Sequence, residues 1–361
     1  MSDQPIDLNQ LRERIDAIDK RLVELLNERA GIVVSVGETK RDTDSPIYAP
    51  HREQQVLEHI LAQNKGPLPD RAMEAIWREL MSGSFQLEQG MSIGYLGPPG
   101  SYSHVAAVRH FGSSVESHQF QDIAAVFRDV QAGNCTYGVV PYENSTGGSV
   151  TDTLDAFAEF DVTVYAEAMI AVSHCLLANI NQEDIKIVAS KPQVFTQCRR
   201  WLENHLPDAE RLPMASSSAA VLEAANRSDM AAIGSALAGK IHGVNILRSA
   251  IEDNPGNITR FLIIARQAAR PTGQDRTSIM FTTSHEPGAL VDVLAVFRDA
   301  GINLSHIDKR PSGRENWTYS FFIDAEAHQE DTVMAAAIDK ARALCAAFKV
   351  LGSYPRAERV L

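Results

Sequence analysis

The sequence has few of the features that mark secreted or membrane proteins. Its 361 residues include only four cysteines, which are scattered and form no C-x-x-C pair or zinc-ligand spacing. We therefore expect a reducing, cytoplasmic setting, with no disulfide framework and no metal site. No run approaches the roughly 20 apolar residues of a membrane helix, and the polar N-terminus does not resemble a signal peptide. A membrane partner is not expected.

The chain also has too little positive charge for a nucleic-acid-binding protein. Lys and Arg number 34 against 46 Asp and Glu, so the formal net charge is −12. This balance argues against nucleic acid as a partner. An anionic ligand would have to meet a local cluster of arginine and lysine. The length predicts two or three domains.

The first segment, from about Ile6 to Gln89, has a helical pattern throughout. Apolar residues recur at spacings of three and four from about Leu8 to Lys40, which predicts one helix roughly 50 Å long. This seam consists of Leu8, Leu11, Ile15, Ile18, Leu22, Leu25, Arg29, Ile32 and Val36. About ninety residues cannot cover such a rod, so we expect a second copy of the chain against it.

The pattern changes twice after this segment. From Met91, short apolar strands alternate with helical stretches, which indicates α/β layering with a mainly parallel sheet. After Gln274 the order becomes βαββαβ over about eighty residues, which is typical of a ferredoxin-like α+β unit. The predicted domains are residues 1–90, 91–270 and 276–361.

Several cations lie where the first segment should be apolar. Arg29 occupies a seam position, Lys40 follows three helical turns later, and Arg52 opens the next helix. Arg12 is about 25 Å from Arg29 along the helix, so one small ligand touches both only if two helices run antiparallel. Such a shared pocket suits a small dicarboxylate. The alternative is that Arg29 packs its stem and pairs with a neighbouring Glu.

The motifs Leu11-Arg12-Glu13-Arg14-Ile15-Asp16, Val36-Gly37-Glu38-Thr39-Lys40 and His51-Arg52-Glu53 resemble the all-helical chorismate mutase family. The resemblance implies an intertwined dimer that rearranges chorismate to prephenate without a cofactor. Lys40 is the implied donor to the breaking ether oxygen, with Arg12 and Arg29 as further catalytic cations. The implied chorismate-binding residues are Arg29, Lys40, Arg52, Glu53, Ser84 and Glu88 of one chain and Arg12 of the other.

Two positions depart from that family. Ala49 stands where some members carry Asp, so one substrate hydrogen bond is missing or replaced. Glu88 stands where well-known bacterial members carry Gln, and a carboxyl group can donate only when it is protonated. Gln89 is the alternative donor, but Ser84 and Glu88 are one helical turn apart, which favours Glu88.

A second resemblance covers the segment from about Ser92 to Ala268, and its motifs include the Gly97 to Ser103 turn and Thr259-Arg260-Phe261. Together with Tyr142-Glu143-Asn144-Ser145 and the polar turn at Gln197, these motifs resemble prephenate dehydratase. The resemblance implies two α/β lobes similar to type II periplasmic binding proteins, with crossings near Ile170 and Asn254.

The same resemblance implies roles in the cleft between the lobes. Thr259 would donate to the departing hydroxide, and Arg260 is a candidate carboxylate anchor. Capping of a helix by Asn144 or Ser145 is the alternative for those two residues. The implied prephenate-binding residues are Ser101, Glu143, Asn144, Ser145, Gln197, Ser217, Thr259 and Arg260.

The C-terminal segment resembles the ACT domain, a small sensor that binds an amino acid between paired copies. The first effector motif of the family is fully matched by Gly288 to Val291. The second, normally Glu-Ser-Arg-Pro, reads Asp308-Lys309-Arg310-Pro311 in this sequence. The implied effector is L-phenylalanine, although Asp308 and Lys309 leave its identity and affinity open. The alternative is that the unit binds no effector and only dimerises. The implied effector-binding residues are Gly288, Ala289, Leu290, Val291, Asp308, Arg310 and Pro311.

Together the resemblances imply conversion of chorismate to prephenate and then to phenylpyruvate, under phenylalanine feedback, by a homodimer or higher homo-oligomer. One alternative is a non-catalytic protein that senses amino or aromatic acids, which would leave Arg29 on the seam unexplained. Another is the same fold with one site inactive or with a preference for arogenate.

The Glu88 departure predicts that the mutase rate depends on pH. If the protonated acid donates to the ether oxygen, the rate falls as rising pH ionises Glu88. Glu88→Gln donates at every pH and removes this decline, which a pH profile of chorismate consumption measures. A decline of the same shape in the variant and the wild type would assign the proton to another group.

Overall fold

The protein is described by a computed structural model over residues 7–43, 48–311, 319–357 and 359–361. Three helices form the first segment: α1 (Leu8–Thr43), α2 (Pro50–Gln63) and α3 (Asp70–Gln89). At Gly37 of α1, an added Cβ would lie 2.7 Å from the Glu88 Cα and carbonyl oxygen. Only glycine permits this approach, so Gly37 fixes where α1 crosses α3.

The apolar seam of α1 is uncovered within one chain. Seven seam residues have exposed side chains, namely Leu8, Ile15, Ile18, Leu22, Leu25, Ile32 and Val36, and Val23, Leu26 and Val34 of α1 are exposed as well. Ile32 is 61% exposed, and burial of apolar surface is worth about 25 cal/mol per Å². The seam thus leaves one long face of α1 open for packing. Neither α1 nor any other described helix is apolar enough to cross a membrane.

The middle segment contains eleven strands and seven α-helices in the described chain. The strands are β1 (Ser92–Leu96), β2 (Glu116–Phe120), β3 (Tyr137–Asn144), β4 (Gly148–Ser149), β5 (Thr163–Ala171), β6 (Cys175–Leu177), β7 (Ile187–Ser190), β8 (Glu210–Pro213), β9 (Met230–Gly234), β10 (Ile246–Arg248) and β11 (Ile258–Ala265). The helices are α4 (Tyr102–Phe111), α5 (Ile123–Ala132), α6 (Thr151–Glu159), α7 (Pro192–Gln197), α8 (Arg199–His205), α9 (Ser217–Ala224) and α10 (Ala236–His242).

These elements form two lobes, each built on its own sheet. The first sheet has the order β2-β1-β3-β11-β5, with β4 on β3, and the second has the order β10-β6-β9-β7-β8. The chain crosses after Ala171 and returns before Ile258, close to the predicted crossings near Ile170 and Asn254.

The prediction of a mainly parallel sheet is wrong, because both sheets are mixed. Strand β1 runs parallel to β2 and β3, and β7 runs parallel to β8 and β9. The strands that connect the lobes, β5, β6, β10 and β11, pair antiparallel with their neighbours. Each crossing between the lobes therefore adds strands of opposite direction to the edge or centre of a sheet.

The C-terminal unit has the predicted βαββαβ order. Its elements are β12 (Asp275–Thr282), α11 (Ala289–Asp299), β13 (Leu304–Pro311), β14 (Tyr319–Ala325), α12 (Thr332–Ala343) and β15 (Ala347–Pro355). The antiparallel sheet has the order β13-β14-β12-β15. Gly352 of β15 lies against the Val164 backbone of β5, too close for any side chain. This sheet therefore packs directly on the first lobe.

Tyr48, between α1 and α2, joins the helical segment to the first lobe. Its side chain is buried in the lobe's hydrophobic core. The Tyr165 hydroxyl donates to the Tyr48 carbonyl oxygen at 2.6 Å, and the Tyr48 hydroxyl lies 2.8 Å from His110 Nε2. The start of α2 is thus held by the neighbouring domain.

Candidate functional site

Four of the residues predicted to bind chorismate meet between α1 and α3. Arg29 Nη1 donates to Ser84 Oγ at 2.7 Å, and Lys40 Nζ lies 2.7 Å from Glu88 Oε2. Ser84 and Glu88 are each only 7% exposed. The Gly37 crossing brings the two helices close enough for these contacts. The side chain of Gln89, the alternative donor, lies outside the described part of the chain.

The other three predicted residues lie apart from these pairs. Arg12 is exposed on α1, and Arg52 Nη1 donates a long 3.4 Å hydrogen bond to Gln55. Glu53 bonds to the Tyr48 side chain and faces Arg78, and burial raises the pKa of Glu53 to about 7. One chain alone therefore assembles only part of the predicted site.

A second candidate site lies in the cleft between the two lobes. It is a cavity of about 980 Å³. Ser101, the N-cap of α4, and Ser217, at the start of α9, approach it from opposite lobes. Five of the eight residues predicted to bind prephenate line it: Ser101, Asn144, Gln197, Ser217 and Thr259.

Hydrogen bonds orient the Thr259 hydroxyl. The Asn144 side-chain oxygen accepts from the backbone N–H of Thr146 and Gly147, at 3.1 and 2.9 Å. This fixes the amide so that Asn144 Nδ2 donates to Thr259 Oγ1 at 2.8 Å. Because Thr259 accepts that bond, its own proton remains available to donate into the cavity.

His174 is a cavity residue that the sequence analysis missed. Its Nε2 lies 2.8 Å from Gln197 Oε1, its Nδ1 lies 3.2 Å from the Tyr102 hydroxyl, and burial lowers its pKa. With its proton on Nε2, neutral His174 donates to Gln197 and leaves the Gln197 N–H groups for a ligand. No motif signals His174, because it follows β5 at the crossing between the lobes.

The structure corrects the placement of Arg260, Glu143 and Ser145, which do not line the cleft. Successive side chains of a strand point to opposite faces, so Arg260 lies behind the sheet when Thr259 faces the cavity. Glu143 accepts from His306 there, a bond that lowers the pKa of Glu143. The Ser145 hydroxyl bonds to the backbone of Gly256 and Ile258.

Arg260 instead belongs to a buried ion network with the C-terminal unit. Its Nε donates to Glu167 and its Nη1 to Asp324, each at 2.6 Å. Glu167 also accepts from Arg276, and Arg260 Nη2 donates to the Tyr354 hydroxyl. Because these partners occupy the Arg260 guanidinium behind the sheet, Arg260 is not a carboxylate anchor for a ligand in the cleft.

The two predicted effector motifs lie at the same end of the C-terminal sheet, since Thr282, which precedes the first motif, and Arg310 of the second both pair with Ser320 of β14. Gly288, with φ 88°, caps α11 before Ala289, Leu290 and the exposed Val291. In β13, Arg310 forms a bidentate ion pair with Asp155 of α6, at 2.6 and 3.0 Å. The remaining motif residues are Asp308, which accepts from the Lys309 backbone, and Pro311, which ends β13.

No group of three or more His, Cys, Asp or Glu side chains within the described ranges is arranged to hold a metal ion.

Comparisons with known proteins match all three segments. The chorismate mutase type II family model matches residues 11–89, the prephenate dehydratase model residues 93–269, and the ACT domain model residues 277–343. A bifunctional chorismate mutase/prephenate dehydratase from Stutzerimonas stutzeri is 41% identical over 97% of this chain and 98% of its own. A protein of the same name from Aquifex aeolicus is 39% identical over 97% of this chain and 98% of its own.

Two solved structures resemble the last two segments. Prephenate dehydratase from Arthrobacter aurescens in complex with L-Phe has a TM-score of 0.70 and 32% identity, covering 74% of this chain and 91% of that chain. GqqA, described as a novel type of quorum quenching acylase, has a TM-score of 0.69 and 27% identity, and the match covers 74% of this chain and 98% of GqqA.

The position of Arg260 predicts a stability defect rather than a binding defect. Arg260→Met leaves Asp324 buried without its arginine partner and Glu167 with Arg276 as its remaining arginine, which destabilises the fold by about 3–5 kcal/mol. Thermal unfolding measures this loss. Arg266→Met, an exposed change just beyond β11, is the matched control. Equal unfolding temperatures for the two variants would contradict the structural role.

Proposed function

The chain belongs to the family of bifunctional chorismate mutase/prephenate dehydratases, and we propose which of its residues carry out the two reactions. The chain converts chorismate to prephenate and prephenate to phenylpyruvate, as the family does. We assign the mutase to residues 1–90, the dehydratase to 91–270 and the regulatory ACT unit to 276–361. The convergence of Asn144, Gln197 and Thr259 on one cavity carries the dehydratase assignment.

The mutase site acts by positioning and electrostatics. The rearrangement is pericyclic, so it needs no nucleophile and no cofactor. Arg29 holds a carboxylate of chorismate, and Lys40 stabilises charge on the breaking ether oxygen. Lys40 Nζ donates to Glu88 Oε2 at 2.7 Å, which keeps the two side chains together. Glu88 accepts in this contact, so it donates to the ether oxygen only when it is protonated.

The mutase site is completed by a second copy of the chain. Arg12 lies about 25 Å along α1 from Arg29, too far for one substrate to touch both. The open apolar face of α1 supplies the surface that an antiparallel partner helix would bury. We therefore assign Arg12 to the partner's site and propose a homodimer or higher homo-oligomer.

The dehydratase site expels hydroxide from prephenate. The bond from the ring to its carboxylate breaks, the electron pair moves through the ring, and carbon dioxide and hydroxide leave as the ring becomes aromatic. Thr259, which accepts a hydrogen bond from Asn144, donates its proton toward the departing hydroxide. Gln197 and the cavity serines Ser101 and Ser217 position the ring.

L-Phenylalanine is the proposed effector, supported by the L-Phe complex of the Arthrobacter relative. The pair between Arg310 and Asp155 connects the second effector motif to α6 of the dehydratase. We also propose a cytoplasmic location, since the four cysteines, including buried Cys135 and Cys198, are all free thiols.

A coupled assay on the purified chain tests the whole proposal. Chorismate is supplied at about pH 6 and about pH 8, with and without L-phenylalanine, while prephenate and phenylpyruvate are followed separately. We expect phenylpyruvate to accumulate and L-phenylalanine to suppress it. Untouched chorismate would leave the sensing-protein alternative, and prephenate without phenylpyruvate would contradict the roles given to Thr259 and its cleft.

Complementation between two inactive variants tests the shared mutase site. Arg12→Ala and Lys40→Ala each remove one side chain from every site, so each homodimer loses mutase activity. Co-expression yields heterodimers with one intact site, which restores about a quarter of the wild-type rate if dimers form at random. No recovery would show that Arg12 serves its own chain. Dehydratase activity reports the amount of folded protein.

A further inference from the structure

One cation lines the cleft between the lobes. Among the described residues around the cavity, Lys191 has the only cationic side chain and Asp152 the only carboxylate. Burial favours neutral His174 by lowering its pKa, and Arg260 lies behind the sheet in its own ion network. A dianionic substrate in this cleft therefore meets one charged partner of opposite sign.

Lys191 approaches from the lobe opposite Thr259. It stands between β7 and α7 of the second lobe, whereas Thr259 lies on β11 of the first. Its side chain is exposed, and within the described ranges its ammonium group has no hydrogen-bond or ion-pair partner. The charge is therefore available to a ligand that spans both lobes.

The reaction distinguishes the two carboxylates of prephenate. The ring carboxylate leaves as neutral carbon dioxide, so its negative charge decreases in the transition state. A cation held against it would stabilise the substrate more than the transition state and would slow the reaction. The pyruvyl carboxylate keeps its charge from substrate to product, so a cation there adds affinity without opposing the chemistry.

We propose that Lys191 binds the pyruvyl carboxylate of prephenate, from the lobe opposite Thr259, and is a substrate-binding residue of the dehydratase. This inference rests on the proposed function. Lys191 thereby makes the carboxylate contact that the sequence analysis suggested for Arg260.

Steady-state kinetics of Lys191→Met with prephenate test the proposal. We expect KM to rise about tenfold, as for the loss of one charge-assisted hydrogen bond, with kcat nearly unchanged. Phenylpyruvate retains the same carboxylate, so its inhibition constant should rise by the same factor. Lys191→Arg should restore most of both affinities. Added salt should weaken prephenate binding to the wild type more than to Lys191→Met.

Lys186→Met is the matched control. Lys186 is an exposed lysine just before β7, whereas Lys191 directly follows that strand. It does not line the cavity, so this change should leave KM and product inhibition as in the wild type. The mutase rate of each variant, measured on the same sample, reports correct folding and concentration.

Three results would overturn the assignment. Unchanged KM and product inhibition in Lys191→Met would show that the ammonium group does not touch the ligand. A raised KM with unchanged phenylpyruvate inhibition, or a raised kcat, would move the contact to the departing carboxylate. Failure of the wild-type chain to convert prephenate would instead overturn the proposed dehydratase function itself, and this inference with it.

Discussion

The buried charge of Arg260 is the constraint on which the arrangement of the dehydratase and the C-terminal unit depends. Arg260 is 4% exposed and its partners Glu167 and Asp324 are 5% and 0% exposed. A buried ion of this kind is tolerated only when every partner is in place, because one missing partner costs several kcal/mol. Asp324 comes from β14 of the C-terminal unit, so the first lobe keeps its charges satisfied only while that unit is docked.

The mutase is tied to the first lobe by a different interaction. Tyr48 inserts an aromatic ring into the lobe's core and lends its carbonyl oxygen to Tyr165. It stands between the helix that bears Lys40 and the helix that begins near Arg52. The start of α2, which bears the proposed chorismate ligands Arg52 and Glu53, is therefore held partly by dehydratase residues, and the Glu53 carboxyl group bonds to the Tyr48 side chain.

Local periodicity predicted much of this structure, and long-range contacts account for what it missed. The α1 seam and the βαββαβ unit follow from patterns within short segments, whereas the cleft position of Thr259 was implied by the resemblance to prephenate dehydratase. The same period of two separates Thr259 from Arg260, and Asn144 from Glu143, onto opposite faces. The motif alone did not show which face bounds the cleft, because that depends on the docking of the second lobe and of β14. Tyr48 and His174 lack a local signal for the same reason.

Two of the contacts between the C-terminal unit and the dehydratase differ in strength, and this difference suits regulation. The Arg260 network is buried and rigid, whereas the pair of Arg310 and Asp155 is partly exposed and worth about 1 kcal/mol or less. Asp155 lies one helical turn from Asp152, which lines the cleft, so α6 connects the effector motif to the site. Allosteric coupling typically amounts to about 1–3 kcal/mol. If the effector competes for Arg310, as proposed, it changes the balance at α6 by up to the lower end of this range, while the Arg260 network keeps the two units docked.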